Sequence, residues 1–181
     1  PCDSPIEKAR HVISERCRRF AERPGGVYRL NVPTGAGKTL SSLRYALAHA
    51  ASWGKSRIIF TSPLLSILEQ NAQVIRDFVQ DNSLILEHHS NVIDPPESSD
   101  AADVRELLVD SWDAPIIITT LVQLLNTLFD GRTSCIRRFH ALCNSVNVID
   151  EVQTVPTQLL PLFNLAVNFL AATCCATVIW C

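Results

Sequence analysis

Three groups of residues in this sequence have types and spacings that could do chemistry. The first is Pro33-Thr34-Gly35-Ala36-Gly37-Lys38-Thr39-Leu40, set between an apolar run and a segment of helical period. Gly35 and Gly37 let the backbone wrap so that successive N–H groups point at phosphate oxygens. A helix opening at Lys38 adds unpaired amides and partial positive charge. In that setting Pro33 to Leu40 would hold a nucleotide, Lys38 would place a cation on the β- and γ-phosphates, and the Thr39 hydroxyl would ligate Mg²⁺. The competing reading, a Gly/Thr-rich turn with a solvated lysine, leaves the strand–turn–helix context unexplained.

The second group is Asp150-Glu151-Val152-Gln153, at the end of the apolar run Val146–Ile149. Here Asp150 would hold Mg²⁺ through water, and Glu151 would orient and deprotonate a water attacking the γ-phosphate. Neighbouring side chains on a strand diverge, which suits two different tasks. Gln153 could relay the presence of the γ-phosphate to a nucleic-acid track. An isolated Asp-Glu pair is equally a solvated acidic turn. Paired with the upstream loop, it becomes the other half of a hydrolysis site, with Lys38, Glu151 and Gln153 as the catalytic set. The expectation is that Lys38 and the Asp150/Glu151 couple converge on one ATP from neighbouring strand tips.

The third group is weaker. His88 and His89 are adjacent at a strand end, so their side chains diverge and would not share one metal ion. A structural role is the default for both. Ser62-Pro63 and Thr119-Thr120 end two further strands, and in an open α/β sheet those carboxyl ends form the ligand face. Small hydroxyls there could hold a sugar–phosphate backbone without reading sequence, or Ser62 and Thr120 could cap the helices that follow. The basic runs Arg16/Arg18/Arg19 and Arg137/Arg138 read as solvated helix faces, and the three tryptophans as packing.

Positioning these groups requires an alternation of strands and helices. Strands are expected at Val27–Val32, Arg57–Thr61, Leu84–Glu87, Pro115–Thr119, Val146–Ile149 and Ala176–Trp180. Most are continuous apolar runs rich in β-branched residues, as in a sheet covered on both faces. Helices are expected at Pro5–Glu22, Lys38–Ala51, Leu64–Val79, Asp103–Ser111, Leu121–Leu128, Ser134–Asn144 and Thr157–Ala172, with a loop at Asn91–Asp100. The sum is one α/β domain over residues 1–181, with a mainly parallel sheet in three layers and an N-terminal helix within residues 1–24.

Composition agrees. With 181 residues, 47% hydrophobic and 19% charged, the chain is neither disordered nor multidomain. A net charge of -2 excludes a generally basic nucleic-acid clamp. The 7 cysteines show no C-x-x-C pair and read as buried reduced thiols of a cytoplasmic protein. Val152–Cys181 carries no charge, but Gln153, Gln158, Asn164, Asn168, Pro156 and Pro161 interrupt it, so it reads as a buried helix and strand instead of a membrane span.

Together these blocks resemble the superfamily-two helicases, and more narrowly the CRISPR-associated helicase–nuclease of type I systems. The similarity rests on Asn31–Ser42, Ser62–Ala72, Glu87–Ser90, Trp112–Thr120 and Asp150–Pro156. The shorter Pro-Thr-Gly-x-Gly-Lys-Thr loop, with Val32 where the strict phosphate-loop pattern has glycine, is the helicase form. The resemblance implies the first RecA-like lobe of a motor that hydrolyses ATP with Mg²⁺, moves 3′-to-5′ along single-stranded DNA and serves antiviral defence. It raises a DNA-side role for Ser62, Pro63, His89, Thr119 and Thr120. It implies an RNA-guided surveillance complex, a second lobe with its arginine finger and a nuclease domain as partners. No histidine here precedes an aspartate, so the family's His-Asp nuclease dyad is not expected in this segment, and ATP turnover should be slow without the second lobe. A lobe of another DNA or RNA helicase, or a nucleotide-switched interaction module, is the alternative.

Overall fold

The computed structural model describes residues 4–33, 35–89 and 107–181. The expected loop at Asn91–Asp100 and the start of the helix expected at Asp103 lie outside them. Six strands form one parallel sheet: β1 (Val27–Arg29), β2 (Arg57–Ser62), β3 (Ile85–His88), β4 (Ile116–Thr120), β5 (Ser145–Ile149) and β6 (Thr177–Trp180). They lie in the order β1-β6-β5-β2-β4-β3. Helices α1 (Pro5–Phe20), α2 (Lys38–Trp53) and α3 (Leu65–Val79) precede β3. A helical stretch at residues 107–111 (α4) precedes β4, and α5 (Leu121–Phe129), α6 (Thr133–Leu142) and α7 (Leu160–Thr173) follow it.

Alternation within each strand builds two cores. Ile58, Phe60, Ile116, Ile118, Val146 and Val148 pack with Leu43, Ala46, Leu68, Ala72 and Ile75 of α2 and α3. Ile59, Ile117, Ile149 and Val178 pack on the other face with Leu121, Leu124, Leu142, Phe163 and Val167 of α5 to α7. Both faces being covered is why the strands read as unbroken apolar runs. Helix α1 begins with a full capping box, Ser4 accepting from the Glu7 amide while the Glu7 carboxylate accepts from the Ser4 amide. His49 ties α2 to the end of α1 and to β6 through the Ala21 carbonyl (2.8 Å) and the Thr177 hydroxyl (2.9 Å).

Four expectations change. Strand β1 stops at Arg29; Leu30 makes one more backbone bond, to the Trp180 carbonyl at 2.7 Å, before the chain turns toward Pro33, which has no N–H to pair. The C-terminal helix starts at Leu160, with Pro161 in its first turn, and is buried on one side only. Phe163, Val167 and Leu170 face the sheet, whereas Leu162, Leu165 and Phe169 are exposed. Among the described cysteines all are free thiols, but only Cys17 and Cys135 are buried, and Cys175 is exposed. Arg138 is not a solvated residue of a basic face. It is 6% exposed and lies over the Trp112 ring, with its guanidinium donating to the Val109 carbonyl at 3.1 Å.

Candidate active site

Gly35 (φ 79°) and Gly37 (φ 78°) both take the left-handed conformation, which the absence of a Cβ permits. The Ala36 amide bonds the Pro33 carbonyl at 3.1 Å, closing the turn, and α2 starts at Lys38. In contrast to α1, α2 has no side-chain cap and no acidic residue in its first turn. Among the described residues no side chain caps its first amides, the arrangement that receives an anion. Thr34 lies outside the described residues, and the Leu40 side chain points away, 48% exposed, leaving its backbone to serve the loop.

The Lys38 ammonium sits 2.7 Å from Asp150 Oδ1 and 3.1 Å from Glu151 Oε1. Burial works against its charge, but the hydrogen bonds it donates to the two carboxylates, with their negative charge, outweigh this and hold the lysine above its ordinary value. The strand tips that carry these groups are not neighbours, since β6 lies between β1 and β5. The loop and the start of α2 cross that gap.

Nor do the two acids diverge as a strand would dictate. Strand β5 ends at Ile149, and Glu151 takes a left-handed conformation, φ 53°, which swings its carboxylate back beside that of Asp150. The Gln153 amide donates to the second oxygen of Glu151. A cavity of about 320 Å³ opens beside Lys38, Glu151 and Gln153, walled by Asn31, Val32, Trp180 and Cys181. The Cys181 thiol borders it and is pushed up to about 12, chiefly by burial and then by Asp150, so it remains neutral.

Thr39 and Asp150 line one recess, with Ser42, Phe60 and Asn71. A hydroxyl and one carboxylate are the hard oxygen donors that Mg²⁺ takes from protein when phosphate and water complete its shell, so the residues fit this ion. Among the described residues no cluster of three or more His, Cys, Asp or Glu side chains is arranged to hold a metal on its own.

The other sequence-derived candidates fall at the far half of the same sheet edge. Ser62 is in register with Thr120, and Thr119 with His88, so β2, β4 and β3 bring them together. Ser62 and Thr119 are buried, and the Thr119 hydroxyl donates to the His88 carbonyl at 2.8 Å. Thr120 caps α5, accepting from the Gln123 amide at 3.3 Å; Ser62 caps nothing, because the N-cap of α3 is Leu64. His89 lies against Glu87 at 3.4 Å, its side chain 4% exposed. Pro63 is half-buried.

Sequence reasoning missed two residues here. Arg10 of α1 donates from Nε (3.0 Å) and Nη2 (2.8 Å) to the Gly35 carbonyl, fastening the N-terminal helix to the loop. Asn71 of α3 accepts a 2.8 Å hydrogen bond from the Thr39 hydroxyl. The signal for Asn71 was present: it is a polar residue on the face of α3 that also carries Leu68 and Ile75.

These features define the class. The family model for DEAD/DEAH box helicases matches residues 7–176, and the chain belongs to that family. It is similar to the CRISPR-associated nuclease/helicase Cas3 of Haloferax volcanii, 27% identical over 189 residues. That match covers 87% of this chain and 20% of the relative. The crystal structure of T. fusca Cas3 superposes with a TM-score of 0.75 at 19% identity, over 94% of this chain and 20% of that one. The ADP complex of the same protein gives 0.73 at 20% identity, with the same coverage of both chains. The shared architecture is a RecA-like α/β fold, and the chain spans about one fifth of the length of these relatives.

Proposed function

We propose that this chain is the ATP-binding first motor lobe of a DNA helicase, working in CRISPR-based antiviral defence as part of a helicase–nuclease. The observation that carries the reading is the convergence of Lys38 on Asp150 and Glu151 beside an uncapped helix start. ATP would enter with its phosphates on the amides of Gly35 to Leu40, and the Lys38 ammonium would exchange carboxylate contacts for phosphate oxygens. Thr39 and Asp150 would hold Mg²⁺, which when bound neutralises charge on the phosphates. Released from Lys38, Glu151 is free to accept the proton of an attacking water, and Gln153 holds its second oxygen in place. The likeness to a protein solved with ADP and with ATP supports the nucleotide. Single-stranded DNA would run along the Ser62, Pro63 and Thr120 strand tips, where backbone groups are available to phosphates, since the Thr120 hydroxyl is committed to its cap and the Ser62 hydroxyl is buried. The second lobe would supply an arginine worth ~10³ or more in rate, so this segment alone turns over slowly.

The test is nucleotide binding and single-turnover hydrolysis by the purified chain, with and without single-stranded DNA. Lys38→Ala should abolish binding of a fluorescent ADP analogue, while Glu151→Gln should keep binding and lose about 10² or more of hydrolysis. Binding that survives Lys38→Ala overturns the site. A stronger response to RNA than to DNA overturns the DNA reading alone.

A further inference from the structure

We infer that Asn71 is a positioning residue for the metal ligand Thr39: it fixes the proton of that hydroxyl so that a lone pair, not the O–H, faces the cation. The inference rests on the nucleotide reading above and goes beyond it. A threonine hydroxyl has one proton and two acceptor positions and rotates to suit its surroundings. Beside Asp150 and a triphosphate, its cheapest partner is an anionic oxygen, and a hydroxyl that donates there turns its proton toward the place a cation should occupy. A neutral carbonyl oxygen that takes this proton removes that option without adding a competing charge. Asn71 Oδ1 supplies that neutral acceptor, accepting from Thr39 Oγ1 at 2.8 Å.

The support behind Asn71 is rigid. Leu68, Ala72 and Ile75 of the same helix are wholly buried against the sheet, so the amide is presented from a fixed backbone. The other side of Thr39 is also fixed, since its carbonyl accepts from the Ser42 hydroxyl at 2.9 Å and Ser42 is buried. Thr39, Asn71 and Asp150 border the same small recess, so a lone pair left free by the Asn71 bond is available within reach of the aspartate. The bond also joins the first turn of α2 to α3, the helix that begins directly after Ser62-Pro63.

A residue that acts through Thr39 should change how binding depends on Mg²⁺ and leave metal-free binding alone. The experiment titrates Mg²⁺ against a fluorescent ADP analogue bound to the full chain, with a parallel series in chelator. Asn71→Leu keeps the volume and removes the acceptor, whereas Asn71→Asp keeps an acceptor oxygen in place. Asn71→Leu should raise the Mg²⁺ concentration for half-saturation by about three- to tenfold, with affinity in chelator unchanged. Asn71→Asp should need no more Mg²⁺ than the natural sequence. Asn71→Ala is the second variant should leucine disturb folding, judged by thermal melting. An unaltered Mg²⁺ dependence in a folded leucine or alanine variant overturns the inference and leaves the nucleotide reading standing. An equal loss with and without Mg²⁺ also overturns it, marking Asn71 as packing only. If the natural chain binds no nucleotide, the underlying reading falls and this inference with it.

Discussion

Two doublets of adjacent residues end strands of the same sheet, and they behave in opposite ways. At the tip of β3 the pair diverges as a strand demands. His88 Nδ1 accepts from Trp112 Nε1 at 3.0 Å, while His89 turns to Glu87. At the tip of β5 the pair converges, because Glu151 leaves the strand and takes a left-handed conformation, so both acids meet on Lys38. The histidine corner is closed: Trp112 is wholly buried, and Arg138 reaches it from α6 while bonding Val109 and Gln123. The acidic corner is open, with Lys38 and Glu151 side chains 28% and 33% exposed beside a cavity. Polar groups that satisfy one another in the core stabilise the fold. Polar groups that satisfy one another at an opening can change partner.

Breaking the closed corner should have the largest effect on folding. Trp112→Ala removes a wholly buried ring together with the partner of His88, and should cost about 3–5 kcal/mol in denaturant unfolding. A loss below 1 kcal/mol would show that this corner is not structural. Acid should come next. Burial first, then Arg138 and His89, holds His88 down to about 4 from its ordinary 6.5, with Asp110 opposing. Protonation would also set N–H against the Trp112 N–H. The unfolded chain therefore takes up the proton first as pH falls, and stability drops between 6.5 and about 4, by about 1.4 kcal/mol per unit at most. His49, lowered chiefly by burial, acts in the same direction. His88→Asn should flatten part of this slope, and unfolding midpoints equal at the two ends of the window would refute the account. The smallest effect sharpens the open corner. Arg10→Ala frees the Gly35 carbonyl and should weaken nucleotide binding by roughly two- to fivefold with no change in melting. An unchanged affinity would mean that α1 does not tune the loop.

Much of this arrangement could be read from the sequence, and the failures share a cause. The strands were legible because sheet faces covered on both sides leave unbroken β-branched runs such as Ile116-Ile117-Ile118. The loop was legible because its glycines and lysine must be consecutive along the chain. What escaped depends on contacts between distant segments. Arg138 looks like any helix-face arginine until Trp112 and Val109 arrive to cover it. The exposed side of α7 carries Leu162, Leu165 and Phe169 as well as Asn164 and Asn168, so apolar content alone did not tell it from the buried side. The turn at Glu151 carries no glycine to announce it.

The bare start of α2 bears on how the domain would be handled at the bench. Where α1 closes its own first turn with Ser4 and Glu7, α2 leaves that task to whatever anion arrives. Occupancy should then be legible as heat resistance, because a guest that binds only the native fold delays melting in proportion to the logarithm of its concentration.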